Sequence, residues 1–189
     1  TREVAQYAVQ ALQQMVKESI ERQVLSPYDL DLNSFNKTQG QMNRQIVSAI
    51  YEEINEKRDE ILASVNILLA GVDEYGAHLF NIAHNDMSRH DSIGYLTVGS
   101  GAEPARSAFI RTRFDDSCSV SEALLEVTEA KVQSEEAQGV GAQLDISVLT
   151  SEGRQDLDDD IKELRTIYKE VLKEEKQARE DVMEKNNYT

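Results

Sequence analysis

The chain has 189 residues, 40% of them hydrophobic, which suits one domain with a sizeable core. Its 35 acidic residues outnumber its 20 basic ones, and the net charge of -15 would repel a phosphate backbone, so we expect no nucleic-acid partner. The chain has no apolar run of about 18 residues, so we expect no membrane partner. Its single cysteine, Cys118, cannot form an intrachain disulfide, which fits the cytoplasmic location that we expect.

Two amphipathic helices are predicted at the start of the chain. Thr1 stands where an N-cap belongs, and the predicted stripe of the first helix is Val4, Ala8, Ala11, Leu12, Met15, Val16 and Ile20. Pro27 ends this pattern, and the composition of residues 26–40 is typical of a connecting loop. The second helix is predicted to carry Met42, Ile46, Val47, Ile50 and Ile54 on one side.

Three strands are predicted next. Residues 61–72 and 77–82 are interpreted as two strands joined by a tight turn, in which Gly76 takes a positive backbone angle. Residues 93–98 are predicted to form the third strand, closed by Gly99-Ser100-Gly101.

The rest of the chain is predicted to contain two helices, a strand and a final helix. Pro104 marks the first turn of a helix ending near Phe114, and Ser119 or Ser121 can cap the next. The stripe of that next helix is Ala123, Leu124, Val127, Ala130 and Val132. A strand over 144–148 precedes a charged helix at about 155–183, which is either a solvated outer helix or a partner-binding helix.

Five motifs resemble, in chain order, segments of proteasome subunits. The first is Glu3-Val4-Ala5-Gln6, the second is the G-x-D-x-x-G pattern from Gly71 to Gly76, and the third is Gly99-Ser100-Gly101. The others are Ser119-Val120-Ser121-Glu122-Ala123 and Leu144-Asp145-Ile146-Ser147-Val148. Each motif is weak alone, but their order over about 150 residues makes the resemblance specific.

The resemblance implies an α+β fold of the N-terminal-nucleophile hydrolase type, a four-layer α-β-β-α sandwich of antiparallel sheets. It implies one proteasome-like domain over residues 1–189, lacking the strands that precede the first long helix in this family. Sister subunits would form a homo-oligomeric ring around a chamber that receives peptides or unfolded proteins, with no cofactor. Without those strands, we expect residues 1–189 alone to aggregate or to bind a dye for exposed apolar surface.

The catalytic residues that the resemblance implies have no counterpart here. In catalytic members a threonine nucleophile, a lysine and an aspartate lie before the first long helix. Thr1 opens a helix rather than a strand, so the cap interpretation is favoured over a nucleophile. Ser100 is a possible supporting residue, although a turn serine is the simpler interpretation. The family's R-D-x-x-S-G segment is replaced by residues 134–139, Ser-Glu-Glu-Ala-Gln-Gly.

Three further interpretations stay open at this point. The chain could be a non-catalytic structural or assembly subunit of the same fold, or an acidic helical interaction module without hydrolase ancestry. His84, Asp86 and His90 could be metal ligands, but their spacing matches no tight site, so surface histidines are favoured and no metal is expected.

Overall fold

The computed structural model describes residues 1–115, 117–157 and 159–186. Contacts divide the chain into two compact units, called here the first unit (Thr1–Gly71 with Ala77–His90) and the second unit (Val72–Gly76 with Asp91–Thr189). Compact units of this kind need not fold independently, so one domain over residues 1–189 stays a prediction.

The helices of the first unit are α1 (Arg2–Ile20), α2 (Leu32–Thr38) and α3 (Arg44–Ser64). A π-helical turn, Glu21–Leu25, and a 3-10 turn, Ser26–Tyr28, continue α1. The prediction of a loop over 26–40 missed α2, which starts at a reciprocal capping box. In that box the side chain of Asp31 accepts from the amide of Ser34, and the Ser34 side chain accepts from the amide of Asp31.

An antiparallel sheet follows, in the order β1 (Asn66–Asp73), β2 (Gly76–Ala83) and β3 (Asp86–Arg89). The predicted hairpin is confirmed, and Gly76 takes a φ of 117° at its turn. The prediction that the first strand begins at Ile61 was wrong, because Ile61 and Leu62 extend the apolar side of α3. His84 and Asn85, both at positive φ, form the two-residue turn from β2 to β3.

The core of the first unit lies between the helices and one face of this sheet. Its buried apolar residues are Ala5, Leu12, Val16, Ile20, Val24, Leu25, Phe35, Ile50, Leu62, Phe80 and Ile82. The single stripe predicted for α1 was therefore partly wrong, since Val4, Ala11 and Met15 are exposed. Ile46 of α3 is also exposed, whereas Ile50 is fully buried.

The second unit contains α4 (Ala102–Thr112), α5 (Val120–Ser134), β4 (Ser147–Thr150), β5 (Gly153–Asp156) and α6 (Ile161–Lys185). Ser119 caps α5 in a capping box with Glu122. Val127 of the stripe predicted for α5 is exposed, whereas Ala130 is buried. The helix predicted at about 155–183 starts later because 153–156 pair with β4. Asp158 lies outside the described residues.

The third strand predicted over 93–98 was wrong. All of these residues are described and none of them pairs in a sheet. Instead, the ring of Tyr95 stacks on Phe109 with centroids 4.7 Å apart, and both rings contact Phe114. A preference for strand depends on finding a neighbouring strand, and here the aromatic contact with α4 prevails. The predicted α+β class with antiparallel sheets is confirmed.

Candidate functional site

Thr1 packs where α1 begins beside β1. Its carbonyl oxygen accepts from the amide of Ala5 at 3.2 Å, which places Thr1 at the N-cap position. A Cβ atom at Gly71 would lie 2.7 Å from Cγ2 of Thr1, so only glycine permits this approach. The side chain of Thr1 therefore contacts the strand that carries the G-x-D-x-x-G motif, a packing role that sequence reasoning did not foresee.

Ser100 lies in an exposed turn that leads into α4. The amide of Ala102 donates to the carbonyl of Gly99 at 3.1 Å across this turn, and Gly99 has a φ of 91°. This geometry matches the simple interpretation of Ser100 as a turn serine. Thr1 belongs to the first unit and Ser100 to the second, so neither unit brings them into one site.

Gly101 touches the end of α5. A Cβ atom at Gly101 would lie 2.7 Å from Cβ of Ser134 and 3.3 Å from the Ser134 carbonyl oxygen. Ser134 is buried, and its hydroxyl donates to the carbonyl of Lys131 at 2.6 Å. The close contact of the G-S-G segment is therefore between Gly101 and Ser134, the residue that opens the segment 134–139.

Three charged side chains fix the loop after α5. Arg165 on α6 donates through Nη2 to Oε1 of Glu135 and to the carbonyl of Ala142, each at 2.6 Å. Nζ of Lys131 lies 3.1 Å from the same carboxylate oxygen and donates to the carbonyl of Gly141 at 2.5 Å. We call Lys131, Glu135 and Arg165 the ionic clamp.

The ionic clamp keeps Glu135 charged. The hydrogen bond from Arg165 lowers the pKa of Glu135, and Lys131 lowers it further, whereas burial acts in the opposite direction. The Lys131–Glu135 pair could have been predicted from the sequence, because the two residues are four positions apart on a helix. Arg165, 30 residues away from Glu135, carried no such signal.

A second ion pair joins α4 to α5. The guanidinium of Arg111 contacts Oε1 of Glu129, whose residue is only 8% exposed. Burying a carboxylate requires a paired charge, so this contact fixes α4 against α5.

A cleft of about 350 Å³ opens between the end of α4 and the start of α5. Its wall includes Arg113, Asp115, Cys118, Glu122 and Glu126. Burial raises the pKa of the Cys118 thiol, and the carboxylates of Glu122 and Asp115 raise it further. A thiol with a raised pKa remains protonated at neutral pH, so this cleft does not activate Cys118 as a nucleophile.

The three histidines lie on or beside the short strands of the first unit. His84 is exposed in the turn after β2, and Nε2 of His90 lies 3.0 Å from the hydroxyl of Ser88. His78 is buried, with Nδ1 3.2 Å from Nη2 of Arg89. Among the residues that the structure describes, no three His, Cys, Asp or Glu side chains converge as a metal site would require.

Within the described ranges, no helix combines the length and the apolar composition that crossing a bilayer requires. Comparison with models of known protein families found no match to this chain. A comparison with curated proteins found no matching relative either. The expected resemblance to proteasome subunits therefore rests on the order of the five sequence motifs alone.

Proposed function

We propose that this chain is a subunit of a proteasome-type ring, in which a shielded chamber admits peptides or unfolded protein segments, with threonine-type hydrolysis if the subunit carries the nucleophile that has no counterpart in residues 1–189. The proposal includes sister subunits as partners and a cytoplasmic location. The five motifs support it by their order, and Gly71, Gly76 and Gly101 support it by conformations or contacts that favour glycine.

The observation that carries the proposal is the two-sided character of the sheet in the first unit. On one face, Phe80 and Ile82 are buried in the core that includes residues of α1 and α3. On the other face, Leu68 is 39% exposed and Ala70 is exposed, although both are apolar. A sheet that is covered by helices on one face and exposes apolar side chains of a strand on the other is typical of folds in which another sheet packs on the second face. This pattern supports the α-β-β-α sandwich.

A non-catalytic structural subunit of the same ring is the second candidate, favoured by two observations. Thr1 precedes a helix and packs against Gly71, whereas a catalytic threonine of this family opens a strand. Glu135 of the ionic clamp lies in residues 134–139, where catalytic relatives carry the R-D-x-x-S-G segment.

Native mass spectrometry combined with a peptidase assay tests the proposal. We expect a ring whose mass is a multiple of the subunit mass and, for a subunit that carries the family's N-terminal threonine, cleavage of fluorogenic peptides that stops when a β-lactone acylates that threonine. A ring without cleavage would instead support the structural candidate. A protein that forms no ring and cleaves nothing would refute both, and would leave the helical interaction module.

A further inference from the structure

Helix α1 has two apolar faces, of which only one is covered. The covered face includes Ala5, Leu12 and Val16 in the core of the first unit. The second face, called here the outer stripe, consists of Val4, Tyr7, Ala11 and Met15. Val4 is 54% exposed, Tyr7 69% and Met15 44%.

The outer stripe is a continuous line along the helix. At about 100° per residue its members fall within a sector of about 80°, centred roughly 120° away from the covered face. The stripe extends about 16 Å from Val4 to Met15, at about 1.5 Å per residue. A continuous line of exposed apolar side chains is typical of a contact surface, whereas scattered ones are ordinary.

The charges beside the outer stripe are self-complementary. Glu3 and Lys17 are both exposed, and both lie on the same flank of the stripe, one in the first turn and one in the last. When two such helices pair antiparallel, equivalent flanks face each other. Glu3 of one copy then lies opposite Lys17 of the other, and the two-fold axis repeats this contact.

We propose that the outer stripe of α1 binds a second copy of this chain, with the two helices antiparallel about a two-fold axis. The axis passes near the middle of α1, so Val4 packs close to Met15 of the other copy and Tyr7 close to Ala11. The contact closes after two copies, unlike the head-to-tail contacts that build a ring. It requires only α1, and so does not depend on the proposed function.

Charge reversal provides the test, because the pairing makes a specific prediction about a double variant. Sedimentation velocity of the full chain over a concentration series measures association. Glu3→Lys or Lys17→Glu each turns two attractive pairs into two repulsive ones, so each should weaken association about tenfold. The double variant Glu3→Lys/Lys17→Glu recreates both pairs and should restore association to within about threefold of the original.

A substitution in the stripe and a matched control complete the design. Tyr7→Glu places a charge in the apolar contact and should abolish the two-fold pairing through α1, lowering the mass of the assembly. Tyr75→Glu changes a tyrosine that is 84% exposed on the β1–β2 turn and does not belong to the outer stripe, so it should leave association unchanged. Circular dichroism checks that each variant keeps its helices.

Three outcomes would overturn the inference. They are a protein that is monomeric at every concentration, a double variant that associates no better than the single ones, and association that is insensitive to Tyr7→Glu. A ring whose mass is the same in Tyr7→Glu as in the original protein would refute the α1 contact while leaving the proposed function intact. An α1 dimer that neither forms a ring nor cleaves peptides would refute the proposed function while leaving the α1 contact intact.

Discussion

Each of the two compact units is stabilised internally, and the kind of interaction differs between them. The first unit surrounds one cluster of apolar side chains, in which Leu25, Phe35 and Ile50 are almost completely buried. The second unit has a small cluster around Ala108 and Phe109, and relies on ion pairs between its helices and loops. In the second unit, acidic side chains therefore support structure by pairing with basic ones on neighbouring elements.

This difference implies that the two units respond differently to their surroundings. The free energy gained by burying apolar side chains is proportional to the area removed from water and depends little on pH. Ion pairs weaken when salt screens them and when a carboxylate is protonated. We expect acid and salt to loosen the second unit before the first.

The largest expected effect is a cavity in the first unit. Phe35 is 1% exposed, and its ring meets the ring of Tyr51 edge-on with the ring centroids 5.3 Å apart. Phe35→Ala should therefore lower the free energy of unfolding by about 3–5 kcal/mol. Hydrogen exchange should accelerate mainly in Thr1–Gly71 and Ala77–His90. Tyr75→Ala, at an exposed position, is the control and should change stability by less than about 0.5 kcal/mol. Equal acceleration in both units would show that they unfold together, and would remove the contrast.

A smaller effect is expected where α4 meets α5. Gly101→Ala places a methyl group 2.7 Å from Cβ of Ser134, and should destabilise the second unit by about 1–3 kcal/mol. Gly141→Ala is the matched control, because nothing lies within 4 Å of a Cβ atom there. It should be neutral or slightly stabilising by reducing the entropy of the unfolded chain. Chemical denaturation measures both, and equal stabilities would contradict the close contact.

The smallest effect concerns the ionic clamp and depends on pH. The pKa of Glu135 in the folded protein lies below its ordinary value of 4.5. The ion pair between Glu135 and Arg165 therefore contributes fully to stability above pH 4.5, and this contribution is lost as the pH falls through the folded-state pKa. Arg165→Gln should cost about 1–2 kcal/mol at neutral pH, and the difference from the original protein should shrink in acid by the part that depends on the Glu135 charge. Arg154→Gln removes an exposed partner of Asp156 and is the control, expected to have little effect. A pH-independent cost of Arg165→Gln would show that its packing, rather than its charge, is what matters.

The features predicted correctly from the sequence depend on neighbours in the chain. Gly76 sits in the hairpin turn and Ser119 caps α5, because these preferences arise within four residues. Two of the errors occurred where contact with another element prevailed over the preference of the segment itself. Tyr95 stacks on Phe109 instead of joining a sheet, and residues 153–156 pair with β4 instead of starting α6.

The sequence by itself determined that α1 would be amphipathic, because hydrophobic periodicity acts along the chain. It also determined where the β1–β2 turn and the cap of α5 would lie, because local hydrogen bonding acts between neighbouring residues. Only the tertiary structure decided that Leu12 would be buried while Tyr7 stays exposed, and that Glu135 would meet Arg165. A helix presents every side chain at a fixed angle, but which angles are covered depends on the elements that pack against it.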